Sequence, residues 1–127
     1  MGMALSALAA VEARLGRLKQ ASMDIREGIF ITNQAGSWQA KVYILANFAR
    51  FKAEQGELEK AIELYALATR HPYLGNSRFW WDVAGKRLTE LAASIPKAAA
   101  NAAEKRGKSR DLEETFIQID SELANMV

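Results

Sequence analysis

Apolar residues recur along this chain at the three- and four-residue spacing of amphipathic helices, most regularly across residues 40–72. A short turn centred on Gly56 divides that stretch into two helices, predicted to end at Gln55 and to restart at Leu58. Glycine supplies the left-handed residue that often closes a helix, and the acidic Glu57 suits the start of the next one. Three small residues would let the two helices pack closely: Ala49, Ala61 and Ala68.

The same periodicity predicts five more helices and no strand, so the expected fold class is all-α with about seven helices. Ser37 is a plausible N-cap, and so is either Ser77 or Asn76 further along, because their side-chain oxygens can accept a hydrogen bond from a first-turn amide. The loops are expected at residues 33–37, 71–77 and 107–110. The seven predicted helices are 3–14, 18–32, 38–55, 58–70, 78–94, 97–105 and 111–125.

Each helix is expected to turn an apolar stripe towards the core. The stripe of the first helix contains Leu5, Leu8, Ala9 and the residues from Val11 to Leu15, and that of the second contains Leu18, Ala21, Ile25, Ile29 and Phe30. In the last helix the stripe consists of Leu112, Phe116, Ile119 and Leu123.

The chain has 127 residues, which is the size of a single domain. Of these residues 50% are hydrophobic and 25% are charged, as in ordinary globular proteins. The net charge of +2 is small, and the densest basic run, 105–110, is followed at once by acids, which favours a solvated loop. The alternative, a nucleic-acid site on this run, predicts binding that falls steeply with salt. No cysteine, signal peptide or long apolar segment occurs, so we expect a cytoplasmic protein without membrane contact.

Little in the sequence points to catalysis. The single histidine, His71, precedes Pro72 in a predicted loop, with no nucleophile or carboxylate placed beside it by spacing. The segment 107–109 reads Gly-Lys-Ser, like the end of a phosphate loop, but Ala102 stands where the first glycine belongs. Metal-ligand spacings are missing as well. We therefore expect no enzyme activity, no cofactor and no metal.

An internal repeat is the most informative feature. Gly16, Leu18 and Ala21 recur as Gly56, Leu58 and Ala61, each 40 residues later. Such a period with two helices per unit predicts helix pairs stacked in a solenoid, in which each pair needs a neighbour to bury its apolar face.

The second unit resembles a tetratricopeptide repeat. The matching residues are Leu45, Phe48, Ala49, Gly56, Ala61, Tyr65, Ala68 and Pro72. Lys52 departs from the pattern, which usually has an aromatic there, and the first unit departs at Glu12 and Gly28. The 40-residue period resembles the repeats in the arms of large bacterial signalling ATPases and maltose-activator-type transcriptional regulators. Residues 103–114 are also similar to the segment that often closes such arms.

The resemblance implies a right-handed α-solenoid of antiparallel helix pairs, forming one domain over 1–127 with units of roughly 3–36, 37–76 and 77–127. It implies a non-catalytic protein-interaction scaffold within a larger regulatory or signalling protein. The alternative is a small-molecule effector-sensing arm of a signalling ATPase or transcription regulator.

Two surfaces are candidates for a peptide or protein partner. In tetratricopeptide arrays the first helix of each unit lines a concave groove; the matching positions are Ser6, Ala10 and Arg14, then Tyr43, Ala46, Asn47 and Arg50. The second surface is the aromatic run 79–81, of which at least one ring should lie near the surface, with Arg78 beside it. A groove without a ligand and aromatics packed in the core remain the alternatives. The candidate partner-binding residues are Tyr43, Asn47, Arg50, Arg78 and Trp81, and the uncapped first helix predicts a homodimer.

Overall fold

The computed structural model describes the backbone of residues 2–35 and 38–126. Within these ranges every regular element is a helix, so the predicted all-α class is confirmed. Side chains are described throughout except at Met3, Ala4, Ser6, Asn33, Ala35, Trp38, Pro72, Tyr73, Leu123 and Met126. The predictions for the Ser37 cap and for the side chains of Ser6 and Leu123 therefore lie outside the described residues.

Within the described ranges, seven long helices and one single-turn helix follow one another. The first four are α1 (Gly2–Arg14), α2 (Leu18–Ala35), α3 (Trp38–Glu54) and α4 (Leu58–Thr69), and the single turn is α5 (Pro72–Gly75). Helix α6 spans residues 78–92 and contains a π-helical segment, Trp81–Gly85, between Arg78–Trp80 and Lys86–Ala92. The last two helices are α7 (Lys97–Lys108) and α8 (Leu112–Met126).

The turns after α1 and α3 have the same geometry, 40 residues apart. Gly16 and Gly56 adopt φ of 82° and 87°, the left-handed conformation predicted for the central turn. The amide of Gly16 donates to the Ala13 carbonyl at 3.1 Å, and that of Gly56 donates to the Ala53 carbonyl at 3.0 Å. In both turns the amide of the following residue donates to a carbonyl five residues earlier, from Arg17 to Glu12 and from Glu57 to Lys52, which completes a Schellman motif. The sequence repeat is therefore a repeat of structure at these turns.

The α1–α2 and α3–α4 hairpins stack through α1 and α3. Alanines at the contacts let the helix axes approach closely: Ala9, Ala13 and Ala49 are at most 5% exposed. Bulky side chains fill the space between the helices, and the largest fully buried ones include Ile25, Ile29, Phe48, Phe51, Leu64 and Leu67. The core predicted for α3 and α4 lies here.

The third unit is built differently from the first two. Helix α7 packs along α4 rather than against α6, the helix that precedes it. Gly107 makes this approach possible, because a methyl group at that position would overlap the carbonyl oxygen of Glu63. The helix also continues to Lys108, so the loop predicted to begin at Gly107 is wrong. The contact with α4 explains why this glycine sits inside a helix.

Two other boundaries differ from prediction, and one cap is confirmed. Helix α2 continues to Ala35, so the loop predicted from Asn33 is wrong at its start. Residues Pro72–Gly75 form a helical turn inside the second predicted loop. Ser77 caps α6 as predicted, since its hydroxyl accepts a hydrogen bond from the Trp80 amide at 3.2 Å.

Helix α8 returns along the first two hairpins. It contacts α2, and it is joined to both ends of α3 by ion pairs, Lys41 with Glu113 at 3.1 Å and Lys52 with Glu122 at 2.5 Å. These pairs set α8 side by side with α3 in the same direction. Its predicted apolar stripe is buried at Leu112, Phe116 and Ile119.

The ammonium group of Lys52 is buried and has charged partners on two sides. Lys52 is 2% exposed and pairs with Glu57 at 3.0 Å as well as with Glu122 of α8. Its Nζ also lies 5.4 Å from the ring centroid of Phe48. A buried charge needs such partners, and α8 supplies one that a helix pair alone would lack.

Candidate interaction surfaces

Exposed apolar side chains recur at helical spacing on one side of α1 and continue through the turn that follows it. Leu8 and Val11 of α1 are 49% and 47% exposed, Leu15 in the turn is 64% exposed, and Leu18 at the start of α2 is 43% exposed. We call these four residues the α1 face. The prediction that Leu8, Val11 and Leu15 point inward is wrong, because the alanines of α1 take the inner side. The inward positions predicted for Leu18 and Phe30 of α2 are wrong as well, since these side chains are 43% and 61% exposed.

Two carboxylic acids lie beneath the α1 face. Glu12 is 7% exposed, and Asp24 of α2 accepts a hydrogen bond from the Gln20 side chain at 3.0 Å. The hydrogen bond to Asp24, then burial, then repulsion by Asp24 raise the pKa of Glu12 to about 7, against a smaller opposing effect of Arg17. A proton therefore occupies this pair at neutral pH in part of the molecules. Glu12 occupies the position of Lys52 in the second unit, 40 residues earlier.

The groove residues predicted on α3 lie together on one face, but they are largely covered. Asn47 is 2% exposed and accepts a hydrogen bond from Arg50 at 3.3 Å. The ring of Tyr43 stacks on Trp80 of α6, with 5.3 Å between ring centroids. Burial lowers the pKa of Arg50, with Glu54 opposing and Arg14 adding to the effect. Of this predicted group, Arg50 is the member with a partly accessible charge, and partner binding here stays a prediction.

The aromatic run on α6 is split between core and surface, as predicted. Trp80 is buried, whereas Phe79 and Trp81 are 63% and 46% exposed. Phe79 packs edge-on against Trp80, with 5.6 Å between ring centroids. Arg78 is exposed and lies 3.5 Å from Asp82, one turn further along the helix. The sequence predicted Arg78 and Trp81 as a patch separate from the groove, and they do lie on a different helix from Arg50.

The basic run at 105–110 belongs mostly to helix α7, and two of its arginines form ion pairs with α4. Arg106 donates to the Glu63 carboxylate at 2.7 Å, and Arg110 pairs with the same carboxylate. Arg70 of α4 donates to the carbonyls of residues 108 and 110, both at 3.0 Å. Burial opposes ionisation of Glu63, but the hydrogen bonds from the two arginines outweigh it and lower the pKa of Glu63. Residues 105–108 are helical, so the predicted loop is wrong there. Lys105, Arg106, Lys108 and Ser109 are exposed, so the predicted solvation of the run is confirmed.

The remaining chemical groups give no site within the described residues. His71 is half-buried, and burial followed by the charge of Arg70 lowers the pKa of its imidazole. Residues 2–35 and 38–126 hold no cluster of three acidic, histidine or cysteine side chains arranged for a metal ion. In the same ranges, no helix has both the length and the apolar character needed to cross a membrane.

Comparison of the chain with family models, with curated proteins and with solved structures finds no match. The tetratricopeptide resemblance therefore stays a prediction, carried by the residues quoted above. The uncapped first helix predicted an exposed apolar surface, but not the residues that form the α1 face, and the π-helical segment of α6 was not predicted. The sequence holds a signal for the α1 face, since Ala9 and Ala13, four residues apart, mark the opposite side of the helix as the one that packs closely. For the π-helical segment the only local signal is a glycine inside a helix, Gly85.

Proposed function

We propose that this chain is a non-catalytic helical-repeat interaction module of tetratricopeptide type, acting within a larger regulatory or signalling protein. Its α1 face takes a partner's apolar helical surface, and the first such partner is a second copy of the same chain. The observation that carries the proposal is the exposure of four large apolar side chains at one place, Leu8, Val11, Leu15 and Leu18. Contiguous exposed apolar surface is characteristic of protein interaction sites.

The composition of α1 supports this role. Glu12 and Arg14 are its only charged residues, and Glu12 is buried. The centre of a protein interface is depleted in charge, whereas an ordinary solvated helix carries charges on its outer side. Helix α1 thus has an apolar surface on the side away from α3, as well as the alanine-lined side that contacts α3.

A second copy fits this surface because of its symmetry. Leu8 and Leu15 flank Val11, one turn to each side, so the stripe is nearly the same when read in either direction. A two-fold dimer needs a self-complementary patch of this kind, in which the centre of the stripe meets itself. The neutral form of Glu12, available near its raised pKa, lowers the cost of covering the carboxyl group.

The experiment is sedimentation velocity over a wide concentration range. Wild type should associate as concentration rises, and Val11→Lys should remain monomeric because it places a charge at the centre of the stripe. Ile117→Lys is the matched control, since Ile117 is 71% exposed on α8 and lies outside the α1 face. A wild-type chain that stays monomeric at high concentration, or an Ile117→Lys variant that dissociates equally, would contradict the proposal.

A further inference from the structure

A cavity of about 290 Å³ lies between α4, α6 and α7. It exists because α6 and α7 both lean on α4 instead of packing against each other. Ile62, Tyr65, Leu88 and Ala100 form much of its apolar wall, and Trp81 and Glu104 lie at its edge. This site is separate from the α1 face, which belongs to the first hairpin.

The π-helical segment shapes one wall of the cavity. Gly85 is the key position, since a methyl group added there would lie 2.7 Å from the Trp81 ring and 2.8 Å from the hydroxyl oxygen of Tyr65. The indole ring and the phenol therefore converge over a residue without a side chain. The widened turn places Trp81 along the cavity, and single-turn π-helical segments of this kind are frequent at functional sites.

Three hydroxyl groups in the wall of the cavity can still form hydrogen bonds with a ligand. The Tyr65 hydroxyl donates to the Trp80 carbonyl at 3.5 Å, a long and weak hydrogen bond. Burial raises the pKa of Tyr65, so the hydroxyl keeps its proton at neutral pH. Thr69 and Thr89 use their hydroxyl protons on backbone carbonyls of their own helices, at 3.2 and 2.8 Å, and keep lone pairs.

The lining of the cavity carries negative charge. Among the described residues that line the cavity, Glu104 is the only charged one. It pairs with Lys108 at 3.2 Å, but both side chains are more than half exposed. An exposed pair of this kind contributes little free energy, so a ligand's cation can replace the lysine. A ligand anion would meet Glu104 without a compensating cation in the wall.

We propose that this cavity binds a small organic cation, an amine on a compact apolar or aromatic body, with the cation between Glu104 and the Trp81 ring. Cations bind the faces of indole rings, and the apolar wall takes the body of the ligand. A volume of about 290 Å³ is at the small end for ligand pockets, so the cavity suits a compact ligand. The proposal adds a ligand site to the interaction module and does not depend on the α1 face.

The test uses three compact phenyl probes of similar size and different charge, titrated calorimetrically into the full chain. Phenethylamine should bind, 2-phenylethanol should bind more weakly, and 3-phenylpropionate should show no binding. Glu104→Gln should weaken phenethylamine by roughly tenfold, the effect of one charge-assisted hydrogen bond, and leave 2-phenylethanol unchanged.

A second pair of variants tests the location. Ala100→Leu fills the cavity and should abolish binding of both probes, whereas Ala102→Leu, on the exposed side of the same helix, should bind like wild type. Circular dichroism verifies that each variant is folded; if Ala100→Leu is not, Trp81→Leu replaces it and should weaken phenethylamine more than 2-phenylethanol. Failure of phenethylamine to bind, equal binding of 3-phenylpropionate, or an unchanged affinity in Glu104→Gln would overturn the proposal.

Discussion

Replacing Glu12 with glutamine should stabilise the protein at neutral and alkaline pH, and not in acid. The carboxyl group is 7% exposed, and its hydrogen bond to Asp24, followed by burial and the charge of Asp24, raises its pKa from 4.5 to about 7. A pKa that is higher in the folded state means that folding favours the protonated form. The stabilising effect of that proton is complete below about pH 4.5 and is lost as the pH rises through about 7.

The size of the effect follows from the two pKa values. The difference between 4.5 and about 7 corresponds to about 3 kcal/mol of folding free energy, lost between acid and alkaline pH. Glutamine carries an N–H donor at every pH, so it can donate to Asp24 as protonated Glu12 does. Glu12→Gln should therefore match wild type near pH 4.5 and exceed it by about 2 to 3 kcal/mol near pH 8.

The assay is urea unfolding followed by circular dichroism at a series of pH values, at a concentration too low for association. Glu27→Gln is the control, because Glu27 is exposed on α2 and the change removes the same charge from the same hairpin. Equal stability of Glu12→Gln and wild type at alkaline pH would refute the reasoning. So would a loss of stability in the variant at every pH, which would mean that the carboxylate is better solvated than its burial indicates.

Three further changes test the packing of the helices, each read by urea unfolding. Lys52→Met keeps the buried aliphatic part of the side chain and removes the charge, so the free energy of unfolding should stay within about 1.5 kcal/mol of wild type or rise. The double variant Glu57→Gln/Glu122→Gln leaves the buried ammonium group without a carboxylate partner and should lower the free energy of unfolding by about 3 kcal/mol. Gly107→Ala should cost about 2 kcal/mol, although alanine favours helices, because the new methyl group meets the α4 backbone. Glu63→Gln should destabilise the protein at neutral pH only. The pKa of Glu63 is lowered in the folded state, so its ionised carboxylate stabilises the fold at pH values above the ordinary pKa of a glutamate, and this stabilisation is lost in acid.

Matched substitutions on the same helices serve as controls for the last two. Asn101→Ala also adds helix propensity to α7, at an exposed position, and should not destabilise. Glu59→Gln removes an exposed carboxylate 3.8 Å from Arg106 and should have little effect. If Gly107→Ala is as stable as Asn101→Ala, the close approach of α7 to α4 is wrong; if Glu63→Gln behaves like Glu59→Gln, the arginine pair contributes little.

The hairpins could be predicted from the sequence because their determinants are local. The helical spacing of apolar residues and the glycines at 16 and 56 depend on a few neighbouring positions, and both are found as predicted. The inward side of α1 could not be predicted in the same way. Apolar residues surround most of that helix, and the alanines point inward only because α3 lies close to it.

The less regular features depend on contacts between distant parts of the chain. The partner of Lys52 on α8 lies 70 residues further along the chain, so this lysine looked only like a departure from a repeat pattern. The sequence predicts a loop at Gly107, because glycine disfavours helices and no neighbouring residue requires it. The requirement comes from α4, whose backbone lies too close for a side chain at this position. The cavity likewise comes from the divergence of α6 and α7, which no single helix encodes.

Single-cysteine cross-linking tests the proposed interaction surface most directly, and the chain has no cysteine of its own to interfere. In a two-fold dimer through the α1 face the centre of the stripe meets its copy, so Val11→Cys should form an intermolecular disulfide rapidly under mild oxidation. Ile117→Cys should cross-link slowly, although Ile117 is more exposed than Val11, at 71% against 47%. Disulfide formation at Ile117 that equals or exceeds that at Val11 would contradict association through α1.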